Sequence, residues 1–242
     1  MLETTSRVPL WSIKTARDSL QKYPGQRIIA GWDNDGTLGE GPMPVQTLIE
    51  IMALQVRQWP KELPMQPPSY PNRVFFHLFE KRRRKDRKIK EESSTILSRI
   101  TDSAESLKTQ VDHILITGRG VEIGDLTQQE FAILSGLLRG ILLNPGLDPY
   151  LWKAYAVNAL KELGPVIFVD NDLKASYYVA LNGDGVLSIV LRNGNPLYNP
   201  VVLKASGFRQ RSNLIFADNL THVPSIIAEQ FLTTNLGAMQ KS

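Results

Sequence analysis

The sequence has no cysteine among its 242 residues. That excludes disulfides, thiolate metal centres and cysteine nucleophiles. It has no run of about 20 apolar residues, the length needed to cross a bilayer. Nor does its first stretch, MLETTSRVPLWSIK, carry an apolar segment ahead of a small-residue cleavage site, so no secretory signal is expected and a cytoplasmic location is the default. Histidine is scarce: His77, His113 and His222 are far apart, with no ligand spacing between them, and read as structural. No internal repeat is visible. Apolar residues at 42% and charged residues at 21% exclude a disordered chain and suit one globular domain, or one domain carrying an insertion.

Charge is unevenly spread. The net charge is +4, yet residues 81–90 (KRRRKDRKIK) hold eight basic residues and one acid, so this segment contributes +7 and the remainder is −3. Glu91 and Glu92 follow, at i+4 from Arg87 and Lys88, so a solvated helix face is one reading of the run. The other is a polyanion-binding edge. Phe75, Phe76 and Phe79 flank it, as an apolar helix face or as stacking platforms for bases.

Apolar runs with the strand signature are Arg27–Trp32, Val111–Ile116, Gly140–Leu143, Val166–Val169, Val186–Leu191 and Leu214–Phe216. Helical patterns lie between them: Thr127–Leu138, Pro149–Leu163 (Asp148 as N-cap, Pro149 at the first position, Gly164-Pro165 as the stop) and Val223–Leu232. This alternation predicts an α/β fold with a doubly wound, mainly parallel sheet. Residues 39–110 break the rhythm. Seven of the fifteen prolines fall between Pro42 and Pro71, Thr47–Trp59 reads as a helix, Pro60–Pro71 as a loop, and Val74–Leu107 as helical again. The expected division is a core of residues 1–38 and 111–242 with a mostly helical insertion, a small cap or lid, over 39–110.

The strongest chemical signal is Gly31–Leu38 (GWDNDGTL), directly after the first strand. Asp33 and Asp35, two apart, share a side of an extended segment, and Gly36 permits a sharp turn. Carboxylates at the carboxyl end of such a strand sit where open α/β sheets bind ligands. Their mutual repulsion calls for a cation, and all-oxygen donors favour Mg²⁺. Three further strand or helix ends carry polar residues: Ile116–Arg119 (ITGR), Lys153 near a helix start, and Val169–Asp172 (VDND).

Together these segments resemble the four signature motifs of the haloacid dehalogenase superfamily of phosphohydrolases, in order, over residues 25–235. Asp33, Asp35, Gly36, Thr37 and Leu38 match the first motif, Thr117 the second, Lys153 the third and Asp170 the fourth. The resemblance implies a Rossmann-like core and a Mg²⁺-dependent phosphomonoester hydrolase. In it Asp33 is the nucleophile that forms an aspartyl phosphate and Asp35 is the general acid and base. Thr117, Gly118, Arg119 and Lys153 contact phosphate or substrate, and the metal is held by Asp33, the Asp35 backbone, Asp170 and Asp172. The fourth motif departs from the family pattern: acids alternate as Asp170-Asn171-Asp172, so Asn171 competes with Asp172 for the second role.

Any lid must lie between the first and second motifs, because 82 positions separate Asp35 from Thr117 but only 36 separate Thr117 from Lys153. The expected partner is a phosphorylated small molecule or a phosphorylated nucleic-acid end, with a polyanion contact through residues 81–90 and no membrane. The alternative is a nucleic-acid- or partner-binding protein that uses the basic insertion on the same scaffold. Phosphoryl transfer to an acceptor other than water also fits the motifs.

Overall fold

The computed structural model describes residues 7–22, 25–39, 59–65 and 88–232. A seven-stranded sheet organises them, in the order β1-β4-β3-β2-β5-β6-β7. The strands are β1 (Leu10–Trp11), β2 (Arg27–Trp32), β3 (Gln110–Gly120), β4 (Leu138–Asn144), β5 (Val166–Asp170), β6 (Val186–Leu191) and β7 (Leu214–Ala217), and every neighbouring pair runs parallel. This is the doubly wound, Rossmann-like α/β architecture that the apolar runs predict. All six residues of β2 are buried, as a strand covered on both faces requires.

Alternate residues of β2 serve two separate cores. Ile28, Ala30 and Trp32 point into one, with Ile96, Leu97 and Ile100 of helix α2 (Glu92–Glu105) and with Val223 and Ile227 of the last helix. Ile29 points into the other, beneath α1 (Ile13–Gln21) and α4 (Pro149–Lys161). A third cluster covers the β6–β7 edge, where Tyr177 of α5 (Leu173–Ala180) meets Leu203 of α6 (Pro200–Ala205) and Leu214.

Three sequence expectations change. The expected helix over Thr127–Leu138 is α3 (Gly124–Glu130) followed by a short tight turn at Ala132–Leu134, and Leu138 already opens β4. Leu138 pairs with His113 in the parallel β3–β4 ladder, so the chain has left the helix before it. The last helix, α7, is α-helical over Val223–Ile227 and winds more loosely over Ala228–Leu232. Finally, α2 lies within the expected insertion but buries Ile96, Leu97, Ile100 and Ala104 in the core, so the core resumes at Glu92.

Of the insertion, residues 59–65 and 88–91 are described; the expected helix over Thr47–Trp59, the three phenylalanines, His77 and residues 81–87 of the basic run lie outside the described residues, apart from Trp59 itself. Trp59 packs edge-on against Tyr177 and Phe208, with ring centroids 4.8 and 5.1 Å apart. No described helix is long and apolar enough to cross a membrane.

Candidate functional site

The sheet order reverses direction at β2: β3 and β4 lie to one side, β5 and β6 to the other. Crevices for ligands form at the carboxyl ends of strands at such a switch point. Asp33 follows β2 and Asp170 ends β5, the strand hydrogen-bonded to it. The backbone at Asp35 (φ −72°, ψ 113°) and Gly36 (φ 82°, ψ −9°) makes Asn34–Thr37 a type II turn, with glycine where positive φ is needed. The turn is packed from both sides. A Cβ on Gly36 would come within 2.6 Å of the Asn171 amide nitrogen. The Gly36 carbonyl accepts from Asn193 Nδ2 at 2.8 Å and from Lys90 Nζ at 2.9 Å.

Lys153 is the centre of the site. It lies on α4, whose N-terminus is capped by Asp148 Oδ1 accepting from the amides of Tyr150 and Leu151. Its ammonium donates to Asp170 Oδ2 and pairs with Asp33 Oδ1, each at 2.8 Å. All three side chains are buried. Burial first, then the neighbouring Asp170 carboxylate, pushes the Asp33 carboxyl from 3.8 up to about 7, against the opposing pull of Lys153. Asp170 is raised by burial too, and Lys153 lowers it. Lys153 is itself raised: burial disfavours its charge, but Asp170 and Asp33 together outweigh that. These shifts describe one imbalance. A single ammonium between two desolvated carboxylates leaves an excess negative charge that the protein alone does not neutralise.

That excess is the test of whether a cation fits. The donors are oxygens, desolvated and net negative, which suits a small hard divalent ion. Among the described residues no group of three or more His, Cys, Asp or Glu side chains is disposed to hold a metal. Asp33 and Asp170 would therefore supply two carboxylates, with backbone carbonyl and water completing the shell, a pattern usual for Mg²⁺. Asp172 is differently engaged. Its Oδ1 accepts from the amide of Ala175 at 2.9 Å and caps α5, while its own amide donates to Asp170 Oδ1 at 2.8 Å. Asp172, an expected metal ligand, thus caps α5 through Oδ1, and its amide orients Asp170. Asn171, the competing residue, packs against the motif-one turn.

Arg119, an expected substrate contact, is paired with two carboxylates. The residue is 3% exposed. Its guanidinium donates to Asp35 Oδ1 at 2.9 Å and to Glu130 at 2.6 and 3.2 Å. Asp35 and Glu130 together raise its pKa against the effect of burial. The guanidinium is thus held between two carboxylates, and it orients Asp35. Thr117 is buried; its hydroxyl accepts from the Arg119 amide at 3.2 Å, and its carbonyl accepts from the Trp152 indole at 3.1 Å. Gly118 passes close to α4, where an added Cβ would lie 2.9 Å from Pro149. Thr37 Oγ1 and the Asn34 amide are buried without a hydrogen-bond partner among the described residues.

Four contributors escaped the sequence reading: Glu130, Asn193, Trp152 and Lys90 as an individual residue. Glu130 and Asn193 are 95 and 158 positions from Asp35 with no motif of their own. Lys90 belongs to the basic run, so its charge was visible but its anchoring was not. The run's carboxyl end does reach the site: Ile89 pairs with Gly39, the Lys90 amide donates to Leu38, and Ser93 Oγ donates to the same carbonyl.

His113 is structural, as expected. Nδ1 accepts from the Trp32 indole at 3.0 Å, and Nε2 lies 3.1 Å from the Leu97 carbonyl. Burial lowers its pKa to about 4.

No protein-family model matches the sequence, and no curated protein matches it. A solved haloacid dehalogenase-like family hydrolase from Streptococcus pneumoniae is similar over 84% of this chain and 97% of its own, at 12% identity and a TM-score of 0.47.

Proposed function

We propose that this protein is a Mg²⁺-dependent phosphomonoester hydrolase of the haloacid dehalogenase type, with Asp33 as nucleophile. The observation that carries the proposal is the buried Asp33–Lys153–Asp170 cluster at the switch point of the sheet, both contacts being 2.8 Å. A purely structural site has no reason to bury two carboxylates against one ammonium, because the desolvation is costly. Perturbed carboxylates in a ligand crevice are the usual mark of chemistry.

In this reading an Asp33 carboxylate oxygen attacks phosphorus, and the bond to the leaving alkoxide breaks. Asp35 gives that oxygen a proton and later takes one from the water that hydrolyses the aspartyl phosphate. Arg119, itself braced by Glu130, holds the Asp35 carboxylate in place through Oδ1. Lys153 offsets charge between the nucleophile and the phosphoryl oxygens, and Thr117 and Gly118 line the same crevice. Mg²⁺, held by Asp33 and Asp170, supplies electrostatic shielding between the anionic nucleophile and an anionic substrate.

The substrate is proposed to be a phosphorylated metabolite or a phosphorylated nucleic-acid end. The test is hydrolysis of an aryl phosphate and of a panel of sugar phosphates, nucleotides and end-phosphorylated oligonucleotides, with and without Mg²⁺. Asp33→Asn should lower kcat by at least about 10³-fold, the scale seen when a covalent nucleophile is removed. Retained turnover in that variant would remove Asp33 from its role. The alternative, binding of nucleic acid or a partner through the basic insertion, draws support from the anchoring of Lys90 beside the site. It predicts salt-dependent binding that survives Asp33→Asn and is lost when residues 81–90 are neutralised.

A further inference from the structure

A cavity of about 580 Å³ opens at the end of the sheet opposite the acidic cluster. Its walls are the turn between α5 and β6, the segment leading into β7, and residue 61 of the insertion; Lys61, Tyr177, Asp184, Arg209, Arg211 and Asn213 contribute to them. The volume is that of an ordinary small-ligand site. Three cations face one acid. None of Lys61, Arg209 or Arg211 takes part in an ion pair among the described residues.

The walls are built firmly. Asn213 Nδ2 donates to the carbonyls of Ala180, Gly183 and Val186, at 3.0, 3.2 and 3.1 Å, and so pins the α5–β6 turn to the β7 approach. On the other side Tyr177 donates to the Pro60 carbonyl at 3.0 Å, and the Trp59 indole donates to the Ser206 carbonyl at 3.3 Å. Those two bonds hold the backbone just before Lys61, whose side chain is exposed. Within this frame Arg211 Nε is buried with no acceptor among the described residues. Buried guanidinium donors are ordinarily satisfied, and an exception calls for a missing water or ion. Three cations line this concavity, Lys61 and Arg209 exposed at its rim and Arg211 half-buried, and together they are complementary to a multiply charged oxyanion.

We propose that this cavity is a second binding site, separate from the catalytic crevice, and that it takes a phosphate-bearing anion. Gly183 and Gly185, both at positive φ and with open space where a Cβ would stand, let such a ligand approach the backbone of the turn. The proposal does not depend on the catalytic reading, because the two sites lie at opposite ends of the strands.

The test is isothermal titration of the full chain with inorganic tripolyphosphate in EDTA, at low and at physiological salt. Binding should weaken as salt rises. Arg209→Gln changes an exposed side chain and leaves the fold intact; it should weaken binding about three- to fivefold, the scale of an exposed charge-assisted contact. Arg209→Gln with Arg211→Gln should weaken it at least about tenfold, and Asp33→Asn should leave it within about twofold. Absence of binding by the unaltered protein at 1 mM ligand (roughly the weak limit of useful affinity) would overturn the proposal. So would binding within twofold in both arginine variants, or binding abolished by Asp33→Asn alone.

Discussion

Asp33→Asn should make the protein inactive and more stable at once. On folding, burial and the neighbouring Asp170 raise the Asp33 carboxyl from 3.8 to about 7. The unfolded chain releases this proton near pH 4, while the folded chain retains it until about pH 7. The folded state therefore loses stability as pH climbs through that window, and the loss is complete above it. A shift of this size corresponds to a cost on the order of 4 kcal/mol at pH 8. Asparagine does not ionise, so it removes the cost. It also turns a charged hydrogen bond to Lys153 into a neutral one, giving back about 1–3 kcal/mol. The expected net gain is about 1–3 kcal/mol at pH 8 and near zero at pH 4, or roughly 2–10 °C in melting temperature for a domain of this size. The assay is guanidinium unfolding of both proteins in EDTA across pH 4–8, beside kcat with Mg²⁺. A variant less stable than the parent at pH 8, or a stability difference that does not grow with pH, would refute the argument that Asp33 is held in a destabilising, uncompensated charge cluster.

Lys153→Met keeps the volume but strands two buried carboxylates, so it should destabilise by about 3–5 kcal/mol, and a second change of Asp33→Asn should recover part of that in a double-mutant cycle by denaturant unfolding. Its kcat should fall by about 10²–10³-fold. Asp172→Ala should cost about 0.5–2 kcal/mol as a lost N-cap, with the Mg²⁺ concentration for half-maximal activity unchanged within threefold or so; a tenfold rise would return Asp172 to the metal shell. His113, lowered to about 4 from 6.5, contributes stability that is present above pH 6.5 and lost as pH falls toward 4, up to about 3 kcal/mol, so His113→Gln should show a shallower acid destabilisation than the parent by circular dichroism. Gly36→Ala forces a side chain at φ 82° into the Asn171 amide and should cost at least about 2 kcal/mol and most of the activity, read by thermal melts and turnover.

How far these residues were legible in advance depends on the range of the interaction. The strands were visible because their faces are both covered, and a continuous apolar run is a local property of the chain. The Asn34–Thr37 turn was visible because positive φ at one position selects glycine. Asp148 and Pro149 announced α4 by the chemistry of helix starts. Elsewhere packing overrides local propensity. Thr127–Leu138 carries apolar residues at helical spacing, yet Leu138 is needed as the first residue of β4 beside His113. Residues 92–105 look like part of an insertion in sequence, but the apolar stripe of α2 covers one face of the sheet.

By itself the sequence determined the alternation of strands and helices, the cluster of acids after β2, and the set of residue types suited to phosphoryl chemistry. These are short-range facts of composition and spacing. Only the tertiary structure decided what each polar residue does. It put Lys153 between Asp33 and Asp170, turned Asp172 into a helix cap, closed Arg119 between Asp35 and Glu130, and joined Lys61 to Arg209 and Arg211 at the far end of the sheet. Burial and charge pairing are relations between residues tens to more than a hundred positions apart. Their energies come from what shares a desolvated volume, which the order of residues along the chain does not specify.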